Sequence, residues 1–324
     1  MIAGIVILHV PPYQPLAEAG GSVLSCVKAF FQSAVFRSAV PVLSCISGYL
    51  LFSSGMDLQF KKLLVKKTQA ILLPFLLWNL PLVFMLYFVQ SQALLNHAFS
   101  EKLYPFELES WLNATFGLFD LPVNYPTGFL RDLYVLCLIA PIFGYFLRKL
   151  PFFGLVVVTM VFLNNLDGYL LLRDPMAVNF YIGGMAAVMG WNLKRLDGLS
   201  FWLLLAFVCY CIAIVLFKIT DKRLFYIVSP FLVWPAASLL VKTKFGAWLA
   251  GHAKYSFFIF LSHGTILLAV SMMYSRLIGS QENFVFFFLA PLLTIFIAHA
   301  AYLLLVRALP GLLSLAVGGR SVGN

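Results

Sequence analysis

Charged side chains are scarce in this chain. They make up 10% of its 324 residues, hydrophobic residues make up 62%, and the mean hydropathy is +0.95. Soluble domains carry roughly a quarter charged residues, so the composition excludes a soluble protein and indicates an integral membrane protein. Since no loop is long enough to bury a core of its own, a separate soluble domain is excluded as well.

Cysteine is also scarce, and its spacing has no pattern. The five cysteines lie mostly within apolar runs, where a thiol behaves as a small apolar group. Their spacing therefore predicts neither a metal site nor disulfides.

Acidic residues are fewer than basic ones, which gives a formal charge of +10. The lysines and arginines cluster in short loops between apolar runs, which is the topology signal of a membrane protein and not that of a nucleic-acid-binding one. One side of the predicted bundle carries thirteen of them and the other seven, so the richer side, with both termini, is predicted to be cytoplasmic. The loop with Lys218, Lys222 and Arg223 runs against this assignment.

The apolar runs extend from end to end without the alternation of barrel strands. They predict an all-α, polytopic transmembrane bundle of about ten helices that forms one domain over residues 1–324. The predicted spans are 1–10, 34–52, 69–90, 129–147, 152–166, 176–193, 200–217, 224–241, 255–275 and 284–306.

The first predicted span is too short. Ten residues rise only about 15 Å as a helix, against a hydrocarbon core of about 30 Å, and Pro11 and Pro12 then end the helix. The helix is either a half-span or the remainder of a longer one, and we expect that the natural start lies upstream. A signal peptide is not expected, because no basic region precedes the apolar run.

The segment 100–125 is predicted to contain an amphipathic helix. Leu108, Trp111, Leu112 and Phe116 recur at helical spacing. Such a helix would lie at the membrane interface, where Trp is favoured. The alternative is a lid over a substrate cleft.

Two polar residues in the first two spans are candidate catalytic groups. His9 has the side chain best suited to a general base near neutral pH; the alternative is a histidine that only links helices. Arg37 is a charge in an apolar run, and Pro41 four residues later should distort the helix beside it. Arg37 would then bind an anion or polarise a carbonyl, unless it only extends to the membrane surface.

Other polar residues in or near the spans are weaker candidates. The run 61–67 carries four lysines that would bind anionic lipid or the phosphates of a cofactor. The adjacent charges Arg131 and Asp132 open a span, and His263 lies deep in another, where an imidazole needs a partner. Ser47-Gly48-Tyr49, taken alone, is a helix-packing motif.

Four blocks in order resemble the acyltransferase-3 family, integral membrane enzymes that O-acetylate bacterial surface sugars. They are residues 4–9, which end in His9; 37–52, which contain Ser-Gly-Tyr-Leu; 128–134, Gly-Phe-Leu-Arg-Asp-Leu-Tyr, followed by Pro141; and 255–263, which end in His263. Each block is loose, but together they cover nearly the whole chain.

The resemblance implies transfer of an acetyl group from cytoplasmic acetyl-CoA to a hydroxyl of a surface or lipid-linked polysaccharide, without a metal. The enzyme would be a multi-pass protein of the bacterial inner membrane, a membrane-bound O-acyltransferase whose partners are a glycan or glycolipid and membrane lipid. His9 would be the general base or the acyl carrier, and Arg37 would stabilise negative charge at the reacting carbonyl or orient the acceptor. The other implied residues are Lys66, Lys67 and Arg131 for acetyl-CoA, and Ser47, Tyr49, Asp132 and His263 for the acceptor.

The chain also departs from the family pattern. The family's first-helix arginine, about three turns before the histidine, is absent, Gly128 stands where tryptophan is usual, and Lys66 and Lys67 replace arginines. The alternatives are therefore an inactive, truncated relative and a glycan or lipid transporter. Transporters often contain internal repeats, and no repeat relates the two halves of this sequence.

Overall fold

The protein is a bundle of apolar helices. The computed structural model describes residues 1–93, 101–173 and 175–320, and no strand occurs among them. The helices are α1 Ile2–Leu8, α2 Val23–Ser53, α3 Phe60–Ser91, α4 Leu108–Phe116, α5 Tyr125–Lys149, α6 Pro151–Leu163, α7 Pro175–Val188, α8 Asp197–Leu216, α9 Arg223–Val241, α10 Lys244–Leu277, α11 Phe284–Ala308 and α12 Pro310–Ala316.

Seven of these helices, α2, α3, α5, α8, α9, α10 and α11, are long and apolar enough to cross a membrane, and α6 and α7 are shorter apolar helices. With α1, they account for the ten predicted spans. The predicted all-α, multi-pass bundle is thus confirmed.

The second helix begins eleven residues earlier than predicted. Ser22 and Ser25 form a reciprocal cap at its start, and the buried polar residues Gln32 and Ser33 interrupt its apolar pattern. The helix passes through a π-type turn at Phe30–Ala34 and a 3₁₀ turn at Val35–Ser38 before regular α geometry resumes. The distortion predicted near Arg37 is therefore present just before Pro41.

The amphipathic helix expected in segment 100–125 forms as α4, although residue 100 itself lies outside the described part of the chain. Trp111 packs edge-on against Phe84 and Tyr87 of α3, with ring centroids 5.2 and 5.3 Å apart. Its indole also donates to the carbonyl of Leu103 at 3.3 Å. These contacts attach α4 to the end of α3.

Two glycines let α2 and α7 approach closely. A Cβ at Gly48 would lie 2.0 Å from the carbonyl oxygen of Phe180, and a Cβ at Gly183 would lie 1.9 Å from that of Cys45. Small residues allow this kind of backbone contact between membrane helices. The Ser47-Gly48-Tyr49 motif therefore has the packing role that its sequence suggests.

We expect the substitution Gly48→Ala to destabilise the bundle, because the added methyl group meets backbone and cannot be accommodated by a rotamer change. Overpacking of this kind costs about 1–3 kcal/mol. Thermal unfolding of the purified protein in detergent measures the loss. Gly251→Ala is a matched control, since a Cβ there has nothing within 4 Å, and equal stability of the two variants would contradict the prediction.

Candidate active site

His9 and His263 are hydrogen-bonded to each other. His9 ends α1, His263 is fully buried in α10, and His9 Nδ1 lies 3.2 Å from His263 Nε2. The two rings are 5.3 Å apart at their centroids. Two histidines predicted separately, 254 residues apart in the chain, thus form one pair.

The hydrogen-bond partners assign the tautomers of the neutral pair. His263 Nδ1 lies 2.7 Å from the carbonyl oxygen of Phe260, which only accepts, so Nδ1 carries the proton and donates. Its Nε2 must then accept a hydrogen bond from His9 Nδ1–H. This leaves His9 Nε2 with a free lone pair, which is the requirement for a general base or a nucleophile.

A buried polar network holds the neighbouring loop against His9. Asn79 of α3 donates to Thr127 Oγ1 at 2.8 Å, and its side-chain oxygen accepts from the backbone N–H of Asn124 at 3.0 Å. The Asn124 side chain in turn donates to the carbonyl of Leu261 in α10, at 3.1 Å. Tyr125, the next residue, begins α5, and its ring packs edge-on against His9 with the ring centroids 4.8 Å apart.

A second network holds the loop before α7. The carboxylate of Asp132, which is fully buried, accepts from Arg131 at 2.9 Å and from the backbone N–H groups of Leu172 and Arg173 at 3.2 and 2.9 Å. Arg131 also donates to the backbone carbonyls of Tyr169 and Leu170. Arg131 and Asp132 therefore anchor a loop. Their predicted contacts with acetyl-CoA and acceptor stay predictions.

The loop that they anchor carries Arg173 towards the histidine pair. Arg173 donates to the carbonyl of Tyr125 at 3.0 Å. Burial lowers the pKa of Arg173, the Asp132 carboxylate opposes that shift, and the Arg37 guanidinium adds to it. The two arginines therefore lie close enough to repel each other.

Two cavities lie at this site. The first, of about 400 Å³, includes His9, Glu101, Asn124, Tyr125 and Thr265 in its lining; we call it the histidine cavity. The second, of about 310 Å³, has a lining of Leu8, Arg37, Val40, Pro41, Leu121, Leu172, Arg173, Pro175 and Tyr226; we call it the arginine cavity. Leu121 contributes to both linings.

Arg37 is held by neutral groups. Its Nε donates to the carbonyl of Gln32 at 3.1 Å and its Nη2 to the hydroxyl of Tyr13 at 3.0 Å. Burial alone would raise the pKa of Tyr13, but the charge of Arg37 and the hydrogen bonds to Ser33 and Arg37 bring it below its ordinary value. The charge of Arg37 therefore favours the ionised form of Tyr13.

The other predicted contacts lie away from the histidine pair. Tyr49 contributes to a separate cavity of about 610 Å³ between α2, α7 and α9, and the Ser47 hydroxyl donates to its own helix, at the carbonyl of Leu43. Lys66 lies on an open groove together with Lys61 and Lys62, and Lys67 is partly buried beside it. The structure thus brings His9, Arg37 and His263 to one region, and it does not bring Ser47, Tyr49, Lys66 and Lys67 there.

Sequence reasoning missed Arg173, Tyr125 and Asn124 as site residues. All three lie at or near loops, and only tertiary contacts place them beside His9. Asn79 did carry a signal, since an amide in the middle of an apolar helix requires a buried partner. Glu101 lies in the segment 100–125, for which the sequence predicts an amphipathic helix, and it lines the histidine cavity.

Comparison with known proteins decides the family. The profile of a family described as an acyltransferase domain, acyltransferase 3, matches residues 1–303. The chain belongs to the acyltransferase-3 family. It is 31% identical to the succinoglycan biosynthesis protein ExoH of Rhizobium meliloti (strain 1021), over 99% of this chain and 90% of that protein. No solved structure matches the chain significantly.

Membership confirms the resemblance found in the four sequence blocks. It supports acyl transfer to a glycan as the activity at the level of the family, catalysed by a multi-pass membrane protein.

Proposed function

We propose that this protein transfers an acetyl group from cytoplasmic acetyl-CoA to a hydroxyl of a cell-surface or lipid-linked polysaccharide, with His9 as general base or acyl carrier. The observation that carries the proposal is the His9–His263 pair. Its hydrogen bonds leave one lone pair on His9, and His9 lines a cavity large enough for a sugar.

In the general-base route, His9 Nε2 removes the proton of the acceptor hydroxyl as its oxygen attacks the thioester carbonyl. The new C–O bond forms, the C–S bond breaks, and the proton passes from His9 to the departing thiolate. The products are the acetylated glycan and coenzyme A. His263 stabilises the positive charge on His9, because its Nε2 accepts from His9 Nδ1–H throughout.

Arg37 is proposed either to stabilise the charge that develops at the reacting carbonyl or to orient the acceptor. A guanidinium in a partly buried site stabilises an oxyanion more strongly than it would in water. In the carrier route His9 Nε2 attacks the thioester carbonyl, so that an N–C bond forms, the C–S bond breaks and the thiolate leaves. The acceptor oxygen then attacks the acetyl carbonyl and the N–C bond breaks, which frees the imidazole. The proton lost by the hydroxyl balances the proton taken up by the thiolate.

The orientation is part of the proposal. The lysine-rich loops, with both termini, face the cytoplasm of a bacterial inner membrane, in accordance with the charge asymmetry. Lys66 and Lys67 are then available to the phosphates of the donor. The histidine pair lies towards the opposite face, where a glycan would be presented.

Inside-out membrane vesicles that contain the protein test this function. Labelled acetyl-CoA is added to the exposed cytoplasmic face, and label is measured in the glycan fraction. We expect more label in this glycan fraction than in that of vesicles that lack the protein. Altered export of glycan with no label would contradict the proposal in favour of a transporter.

His263 is expected to position His9, so His263→Phe should lower kcat about 10- to 100-fold, part of the 10²–10⁴ that general-base catalysis contributes. The phenylalanine cannot accept from His9 Nδ1–H, whereas the amide oxygen of His263→Gln can, and should restore part of the rate. KM for the acceptor should change little. His252→Phe, at an exposed position of the same helix, is the control; a larger change in KM than in kcat would contradict the positioning role.

A further inference from the structure

The arginine cavity concentrates positive charge beside the proposed catalytic histidine. Arg37 of α2 and Arg173 before α7 both line it. Lys222 lies just outside, where its ammonium donates to the carbonyl of Ser33 at 3.0 Å. Burial lowers the pKa of Lys222, the nearby Tyr13 hydroxyl opposes this, and the charge of Arg37 adds to it.

None of these three cations forms a salt bridge within the described part of the chain. Their hydrogen bonds go to carbonyl oxygens and to the Tyr13 hydroxyl. Nε of Arg173 is buried and has no hydrogen-bond partner among the described residues. A buried guanidinium N–H without a hydrogen-bond partner is costly. Arg173 can therefore donate a further hydrogen bond to a bound ligand.

Asp132 does not neutralise this charge. Its two oxygens already accept from Arg131 and from two backbone N–H groups, at distances of 2.9 to 3.2 Å. The single negative charge of Asp132 is therefore shared between Arg131 and Arg173, and it does not compensate the positive charge of Arg37. Two guanidinium groups line this cavity, and its described lining residues carry a net positive charge. Such a pair suits the binding of a carboxylate or a phosphate.

The charge of the adjoining histidine cavity has the opposite sign. The carboxylate of Glu101 is the charged side chain among its described lining residues. An anion would be repelled there and attracted into the arginine cavity, with Leu121 between the two. A substrate with a hydroxyl and an anionic group is thus oriented by charge alone.

We propose that Arg37 and Arg173 form a subsite for an anionic group of the acceptor, a carboxylate on the glycan or a phosphate of its lipid carrier. The bound anion holds the acceptor so that a hydroxyl lies in the histidine cavity. The subsite defines a class of acceptor for the proposed acyl transfer. Anion binding does not depend on that function, whereas the placement of a hydroxyl for acetylation rests on it.

Direct binding tests the subsite without any acyl transfer. The purified full-length protein in neutral detergent is titrated with two matched pairs of probes, glucuronate with glucose and farnesyl phosphate with farnesol. Dissociation constants are measured by calorimetry. At least one anionic probe should bind about 10-fold or more tightly than its neutral partner, which is the lower range for a charge-assisted hydrogen bond. The probe that shows the preference identifies the source of the anion.

Two variants on different elements locate the site. R173Q and R37Q should each remove the preference for the anionic probe, while R173K keeps part of it because the charge remains. R276Q removes an exposed arginine elsewhere on the protein and should leave the preference unchanged.

Equal binding of charged and neutral probes in both pairs would overturn the proposal. So would an unchanged preference in both R173Q and R37Q. Anion binding by a protein that transfers no acetyl group would support the subsite and refute the proposed function. Acetyl transfer without a preference for the anionic probes would support the function and refute the subsite.

Discussion

Replacement of His9 by alanine is expected to abolish acyl transfer. The lone pair on Nε2 is lost, and with it both routes of the reaction. A general base contributes about 10²–10⁴ to the rate, and the loss is complete if the acetyl group is carried on the ring. Incorporation of label from acetyl-CoA into glycan, at equal amounts of protein in the membrane, measures the effect.

The matched control is His299→Ala. His299 lies in α11 and packs against Tyr255, at 4.4 Å between ring centroids, in a part of the bundle that neither the histidine cavity nor the arginine cavity reaches. The His299→Ala variant should transfer label at the same rate as the unsubstituted protein. If His9→Ala retains that rate as well while it unfolds at the same temperature, the base lies elsewhere and the histidine pair is only a link between helices. Label on the parent that is removed readily by hydrolysis, as expected of an acyl-imidazole, and that is absent from His9→Ala would favour the carrier route.

The fold follows closely from the distribution of apolar residues, because each span must satisfy its own backbone in a membrane. Errors arise where polar residues belong to a helix. Gln32 and Ser33 broke the apolar run of α2, yet both are buried, and Gln32 donates to the carbonyl of Val10 at 2.7 Å. Such a contact between distant segments has no signature in the local pattern.

The same limit applies to the site. His9, Arg37 and His263 were identified because a polar group within an apolar span is costly and needs a reason. Arg173 lies in a loop, where an arginine is ordinary, and becomes a site residue only because the loop folds back onto Asp132 and Tyr125. The sequence predicts which spans carry unusual groups. Tertiary contacts decide which loop residues join them.

The anchoring of that loop leads to a prediction with a large effect on stability. Asp132→Ala leaves Arg131 and two backbone N–H groups without their buried acceptor. Removal of one partner from a buried ion pair costs about 3–5 kcal/mol. We therefore expect a marked fall in the unfolding temperature in detergent. Binding at the arginine cavity should fall with it, because Arg173 is positioned by the same carboxylate.

Asp132→Asn removes the charge of the carboxylate but keeps the size and shape of the side chain, so the variant distinguishes their contributions to stability. The amide keeps one acceptor oxygen, but its NH₂ group faces a donor, so about half of the loss in stability is expected. Asp221→Ala is the control, because Asp221 forms an exposed pair with Arg223 at 3.3 Å, and such pairs contribute about 0–1 kcal/mol. Should Asp132→Ala be as stable as Asp221→Ala, the loop would be held by contacts other than this carboxylate. Arg173 would then owe its place to the carbonyl of Tyr125, which the same variant would leave intact.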